Sequence, residues 1–176
     1  MSQIKVDSIV PRGGLASGVS GGIIQTVQVI KTDTSSFTVP TQSFYDDTNF
    51  SASITPTSTS SKILVQMMIS HGVSSSHSVA YELRCNGSTV AKGDQDGSNR
   101  PRVTASYHNE QPDFNFTLPL SVLHSPSSTS QQTYNLAWRT NSSSNRTHYL
   151  NRSDGSSDNY TNFRCVSTIV LQEVTA

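Results

Sequence analysis

An all-β fold, specifically an antiparallel β-sandwich of the jelly-roll type, is predicted from three features of the sequence. Short apolar runs alternate with polar residues at a period of two, and Ser, Thr and Asn fill the connections. No stretch of helical length places apolar residues at three and four spacing between a cap and a stop. Hydrophobic residues make up 33% of the 176 and charged residues only 14%, unlike the charge-rich composition of disordered chains. We therefore expect one domain with a small core inside a hydroxyl-rich shell.

Strands with one buried face are predicted wherever apolar and polar residues alternate, because successive side chains of a strand point to opposite faces. The spacing of turns along the chain gives about eight or nine short strands, which favours a sandwich and within that class a jelly roll. The apolar positions expected to form the core are Phe50, Ala52, Ile54, Tyr81, Leu83, Cys85, Phe114, Phe116, Leu118, Leu120, Val122, Tyr134, Leu136 and Trp138.

Three runs, at residues 23–30, 63–69 and 166–171, are apolar on both faces. Such strands are expected in the middle of a sheet or beneath a second subunit, and we expect a homo-oligomer, specifically a homotrimer. Asn86-Gly87 predicts a hairpin, because a two-residue primed turn needs positive φ at both positions.

Residues 1–22 are predicted to form an N-terminal arm that precedes a sandwich domain at residues 23–176. The glycines of this segment interrupt any regular element. Its four apolar residues would gain little by staying exposed, so we expect an attachment device rather than a frayed terminus. Those residues are Ile4, Val6, Ile9 and Val10.

The charge balance argues against two classes of partner. Lys and Arg total 12, as do Asp and Glu, so the chain lacks the net charge that attracts nucleic acid or an anionic membrane surface. No apolar run has the length of a membrane span, and the first residues do not resemble a signal peptide. We expect a soluble protein made in a cytoplasm, with Cys85 and Cys165 as reduced thiols.

No catalytic residue, cofactor site or metal site is predicted. The five histidines are scattered, without the spacing of metal ligands. Residues 94–97, Asp-Gln-Asp-Gly, resemble the opening of a calcium loop but lack the glutamate that closes one, which favours a solvated turn. A nucleophile elbow is also absent from the sequence, so we expect a protein that is not an enzyme.

Residues 141–162 form the most suggestive surface of the sequence, because they combine adaptable hydrogen-bonding residues with rigid aromatic ones, as binding loops do. A glycan suits such a surface. The alternative is an ordinary polar hairpin in which Tyr149 and Leu150 belong to a strand. The candidate binding residues are His148, Tyr149, Asn151, Arg152, Asp158 and Tyr160.

The order of several segments from the first residue to the last resembles a family of small tail-fibre-like virion structural proteins of marine tailed bacteriophages, including cyanophages. The segments that carry the resemblance are Met-Ser-Gln-Ile-Lys-Val-Asp-Ser-Ile-Val-Pro-Arg-Gly-Gly-Leu at residues 1–15, Gly-Gly-Ile-Ile-Gln at 21–25, Ile-Thr-Pro at 54–56, Ser-Ser-Lys-Ile-Leu-Val at 60–65, Leu-Asn-Arg-Ser at 150–153 and Ser-Thr-Ile-Val-Leu-Gln-Glu-Val at 167–174.

The resemblance implies a virion location and a tail fibre or knob, trimeric and attached to other phage proteins of the tail or capsid through its amino-terminal arm. A host-surface glycan would be its ligand, and no catalytic residues are carried over. Two alternatives stay open. One is a capsid decoration protein, either cement or head fibre, and the other is a polysaccharide depolymerase.

Overall fold

The computed structural model describes residues 22–155, 160 and 162–175, and within them the chain is all-β, without a helix. The predicted arm residues Ile4, Val6, Ile9 and Val10 lie outside the described residues. The strands are β1 (Ile23–Lys31), β2 (Ser35–Val39), β3 (Phe44–Ile54), β4 (Lys62–Val73), β5 (His77–Cys85), β6 (Ser88–Ala91), β7 (Ala105–Asn109), β8 (Phe116–His124), β9 (Gln132–Thr140), β10 (Arg146–Leu150) and β11 (Ser167–Val174).

The strands form two antiparallel sheets with jelly-roll topology. Sheet A runs β1-β11-β4-β8, and sheet B runs β3-β9-β5-β7. These eight strands are the two interleaved Greek keys of a jelly roll. The other three are additions: β2 and β10 pair with each other and extend sheet A, while β6 pairs with β5 in sheet B. The predicted fold is confirmed, with more strands than the turn spacing indicated.

The core lies between the two sheets and is built by the alternation that the sequence shows. Every second residue of β4 and of β5 is buried, and the same is true of β11. Trp138, Tyr81 and Tyr134 are the bulkiest of the fully buried side chains. The Asn86-Gly87 turn joins β5 to β6 with φ of 49° and 79° at its two residues, as a primed turn requires.

The structure differs from expectation at one strand and at one aromatic residue. The run at residues 23–30 forms β1 at an edge of sheet A, so it does not lie in the middle of the sheet, and Ile23, Ile24 and Ile30 are exposed in the single chain. The other expected position for this run, beneath a second subunit, stays a prediction. Phe114 precedes β8 instead of belonging to it and is 65% exposed. Alternation gave the faces of β1 but not its place in the sheet, and it did not show that β8 begins only at Phe116.

The sandwich has two ends, which differ in their connections. At one end, called the loop end, lie the connections at residues 32–43, 74–76, 110–115, 141–155 and 162–166, and these include β2 and β10. At the other end, called the arm end, lie the connections at residues 55–61, 86–104 and 125–131. Gly22 also lies at the arm end, where its carbonyl accepts a hydrogen bond from the backbone N–H of Thr175. The predicted arm therefore joins the domain at the end opposite the loop end.

Candidate functional site at the loop end

The two added strands form a small flap on the loop end. β10 pairs with β2 over five residues, but it pairs with β4 over only three, His148 to Leu150. Gly72 of β4 makes this close approach possible, because a Cβ there would overlap the carbonyl oxygen of Arg152 and lie 2.8 Å from the Cα of Ser153. The flap is thus fixed to the jelly roll by a short ladder and by the side chains described next.

Asn151 is a buried junction between the flap and the sandwich. Its side-chain amide donates to the carbonyl oxygens of Lys31 (2.8 Å) and Asp33 (2.9 Å), and its Oδ1 accepts from Ser167 Oγ (2.6 Å). Its backbone N–H donates to the carbonyl of Ser70, and its φ is 63°. Asparagine tolerates this left-handed backbone better than most residues. Asn151 therefore holds β1, β4 and β11 together. The hydrogen bonds of its side chain are made inside the protein, so this side chain is not available to a ligand.

His148 of β10 lies in an aromatic group inside the sandwich, with no exposed surface. Its Nδ1 is 3.0 Å from Nε2 of His71, whose Nδ1 is 2.8 Å from the hydroxyl of Tyr81. The ring of Phe37 from β2 lies 6.0 Å from His148 and 5.3 Å from Trp138, centroid to centroid. This packing fastens both flap strands to sheet B.

Tyr149, which is nearly buried, pairs with Arg152 in the same segment. The guanidinium of Arg152 lies 4.0 Å from the centre of the Tyr149 ring, a cation–π contact. The Tyr149 hydroxyl donates to Asp154. Burial and the Asp154 carboxylate raise the pKa of Tyr149 to about 12. Arg152 also donates to the backbone carbonyls of Ser153 and Asp154, so its orientation is fixed.

Exposed aromatic residues lie on the connections of the loop end. Tyr160 is 93% exposed and Phe163 is 69% exposed. Asn115, which follows the exposed Phe114, donates to the carbonyl of Phe163 and so links the two loops. A shallow groove of about 360 Å³ adjoins Phe114. It is lined by Tyr107, His108, Asn109, Glu110, Gln111 and Phe114.

The structure separates the predicted binding residues into two groups. His148 and Asn151 are interior and Tyr149 is nearly so, because they form the flap's attachment rather than a surface. Arg152 and Tyr160 remain accessible, while Asp158 lies outside the described residues. Sequence reasoning missed Phe163 as an exposed residue, and it assigned Phe114 to the core. The polar residues on both sides of Phe163 were the one feature of the sequence that could have indicated its exposure.

A second buried polar site closes the arm end. Glu173 of β11 is fully buried, and its carboxylate accepts from Gln25 Nε2 and from both the N–H and the hydroxyl of Thr57, each of the latter two at 2.7 Å. Burial alone would raise the pKa of Glu173, but hydrogen bonds from Gln25, Ser61 and Thr57 outweigh that effect and hold the pKa at about 2. Glu173 is therefore a buried carboxylate with a full set of donors.

Within the described residues, no group of three His, Cys, Asp or Glu side chains has the arrangement of a metal site. Cys85 and Cys165 are free thiols. The part of the chain that the structure describes contains no helix able to span a membrane.

Comparison with known proteins gives structural neighbours only. No protein-family profile matches the chain, and the search of curated proteins gives no match. One chain in a structure of the infectious bursal disease virus Gt strain is 14% identical, with a TM-score of 0.45 over 98% of this chain. A chain of the infectious bursal disease virus VP2 subviral particle is 12% identical, with a TM-score of 0.37 over 86% of this chain. The alignments span 44% and 39% of those two chains.

Proposed function

We propose that this protein is a structural component of a phage particle, a tail fibre or knob subunit attached through its arm end. The observation that carries the proposal is that the predicted arm and the exposed aromatic residues lie at opposite ends of the sandwich. The segment with the predicted attachment residues joins the domain at Gly22, and the exposed aromatic residues lie on the connections at the far end. A subunit anchored at Gly22 would point its loop end away from the particle.

Self-association is part of the proposal, with a second copy of this chain as the occupant of the outer face of sheet A. Three rows of four outward side chains on this face contain no ionisable group, and Ile30, Met68 and Leu123 are each about half exposed. The rows are Ile30, Thr168, Met68 and Pro119; Gln28, Val170, Gln66 and Ser121; and Thr26, Gln172, Leu64 and Leu123.

The outer face of sheet B has the opposite character. Arg84 pairs there with Glu82 (3.0 Å) and with Asp46, and its guanidinium lies over the ring of Phe44. Those charges are matched within one chain. The uncharged face of sheet A is matched best by an uncharged surface, and a copy of itself offers one without like-charge repulsion. We propose that a homotrimer forms through this face, with the three copies of the face turned toward a common threefold axis.

Host-surface binding would fall to the loop end. Flat aromatic rings such as Tyr160 and Phe163 stack on the C–H faces of sugars, and the nearby Arg152 supplies hydrogen-bond donors. A neutral or acidic host glycan is the ligand that this combination fits. The groove beside Phe114 has one carboxylate in its lining, Glu110, instead of the facing pair that retaining or inverting glycosidases use. We accordingly propose binding without hydrolysis, and release of saccharide from host envelope by the purified protein would contradict this.

A capsid decoration protein is the second candidate, because jelly-roll domains are common in viral capsids. Immunogold labelling of purified particles with antibody against this chain distinguishes the two. The tail-fibre proposal predicts label at the tail and a low copy number per particle. Label distributed over the capsid, with a copy number comparable to that of the shell protein, would favour decoration. Intact particles free of the protein would refute both.

A further inference from the structure

Three histidines from three strands meet inside the loop end. The ring of His148 from β10 lies 5.0 Å from that of His71 in β4 and 5.5 Å from that of His77 in β5, centroid to centroid. Trp138 packs against His71 at 4.7 Å. All three histidines are buried. We call His71, His77 and His148 the histidine cluster.

The hydrogen bonds of the histidine cluster suit neutral rings. His77 Nδ1 lies 2.7 Å from the carbonyl oxygen of Ser75 and must donate to it, which leaves His77 Nε2 as the unprotonated nitrogen. That Nε2 and the Nε2 of His148 are both buried without a hydrogen-bond partner. A proton added to the His77 ring would place an N–H where nothing accepts it. In a doubly protonated His148 ring, the Nε2–H would likewise lack an acceptor.

The charges around the histidine cluster also oppose protonation. Arg146 of β10 and His108 of β7 act on His77, and the histidines act on one another. No carboxylate is among the charged groups that act on them in the described part of the chain. Tyr81 of β5, whose hydroxyl lies 2.8 Å from Nδ1 of His71, is neutral because burial raises its pKa, and Phe37 of β2 and Trp138 of β9 carry no charge. Burial is the main cause that lowers the pKa of each ring, well below 6.5 for His71 and to about 3 for His148.

The position of the cluster gives protonation a mechanical consequence. β10 is joined to the jelly roll by only three residue pairs with β4, and β2 touches β10 alone within sheet A. His148 and Phe37 supply the flap's inward packing against Trp138 and Tyr45. A charge on the histidine cluster would act on this attachment before it affected the pairing of the eight jelly-roll strands.

We propose that the histidine cluster is an acid-sensitive lock, whose protonation releases the β2–β10 flap from the loop end while the eight-stranded jelly roll persists. This device is independent of the virion role. The histidine rings bind protons less readily in the folded protein than in the unfolded one. The free energy of unfolding is therefore unaffected by these rings above about pH 6.5, and it decreases as the pH falls below that value.

Trp138 makes the test direct, because it is the single tryptophan and packs against the cluster. Tryptophan emission and far-UV circular dichroism of the full chain would be followed from pH 8 to pH 3. The emission should shift at a higher pH than the circular dichroism. Coincident changes of the two signals would contradict a local release.

The number of protons bound on unfolding tests whether the residues of the histidine cluster are responsible. Urea denaturation between pH 7 and pH 5 gives the number of protons bound on unfolding, and His148→Phe should lower it by about one. His77→Phe should do the same and serves if the first variant does not fold. The control is Phe37→Leu, which alters the packing beside His148 without removing a titratable group and should leave proton uptake at the wild-type value. A role in packing alone would lower stability at every pH without changing proton uptake. Wild-type uptake in both cluster variants would overturn the proposal.

Discussion

The two ends of the sandwich bury polar groups in opposite ways. At the arm end, Glu173 is ionised and receives hydrogen bonds from three neighbouring residues. At the loop end, burial lowers the pKa of His71 and of His148 and so keeps both rings neutral, while Nε2 of His77 and Nε2 of His148 have no hydrogen-bond partner. A buried charge is tolerated where hydrogen-bond donors surround it, whereas a buried ring stays uncharged where an added N–H would find no acceptor. This difference is what the two proposals use: attachment at the arm end, and an acid-sensitive flap at the loop end.

The largest effect is expected at the junction of the flap. Asn151→Ala should lower the free energy of unfolding by about 3 kcal/mol, because it leaves the carbonyls of Lys31 and Asp33 and the hydroxyl of Ser167 without their partner. Urea denaturation at pH 7.5 measures this change. The exposed Asn141→Ala is the matched control and should cost about 0.5 kcal/mol or less. Equal effects of the two variants would show that the flap is not held through Asn151.

A smaller effect is expected at the arm end. Glu173→Gln should lower the free energy of unfolding by about 2 kcal/mol at pH 7, because hydrogen bonds to a charged acceptor become bonds to a neutral one. The folded pKa of about 2 lies below the ordinary 4.5, so this stabilisation is present above pH 4.5 and is lost as the pH falls from 4.5 toward 2. Denaturation curves from pH 6 to pH 2.5 should therefore converge for wild type and variant. The exposed Glu110→Gln is the control, and a constant difference across this range would contradict the assignment.

Changes on the outer face of sheet A should hardly affect folding and should affect assembly. Met68→Glu places a charge in the uncharged rows, where the side chain is 46% exposed and free of core contacts. We expect a change of about 0.5 kcal/mol or less in the free energy of unfolding, together with a fall from trimer to monomer mass in light scattering. Ser106→Glu, which introduces the same charge at an exposed position of sheet B, is the matched control and should leave the oligomeric mass unchanged. A monomeric wild-type protein at micromolar concentration would refute the proposed contact.

Sequence patterns predicted the parts of this fold that depend on local rules. The alternation in β4 and β5 gave their buried faces, and Asn86-Gly87 gave the hairpin. The loop end was beyond such rules, because His71 and His148 are 77 residues apart in the chain and meet only through the pairing of β4 with β10. For residues 141–162, local composition suggested a binding surface, but the alternative that Tyr149 and Leu150 belong to a strand is confirmed, because both lie in β10. The sequence did not show that this strand pairs with β4 and turns His148 inward.

The central claim, that the protein attaches to the particle through its arm end, is tested most directly by removing residues 2–21. The account predicts a soluble protein whose unfolding midpoint matches that of the full chain and which is missing from purified particles, although the full chain expressed in parallel is incorporated. Incorporation of the truncated protein at the level of the full chain would contradict attachment through the arm end. Unfolding or aggregation of the truncated protein would contradict it too, since the segment would then be part of the core.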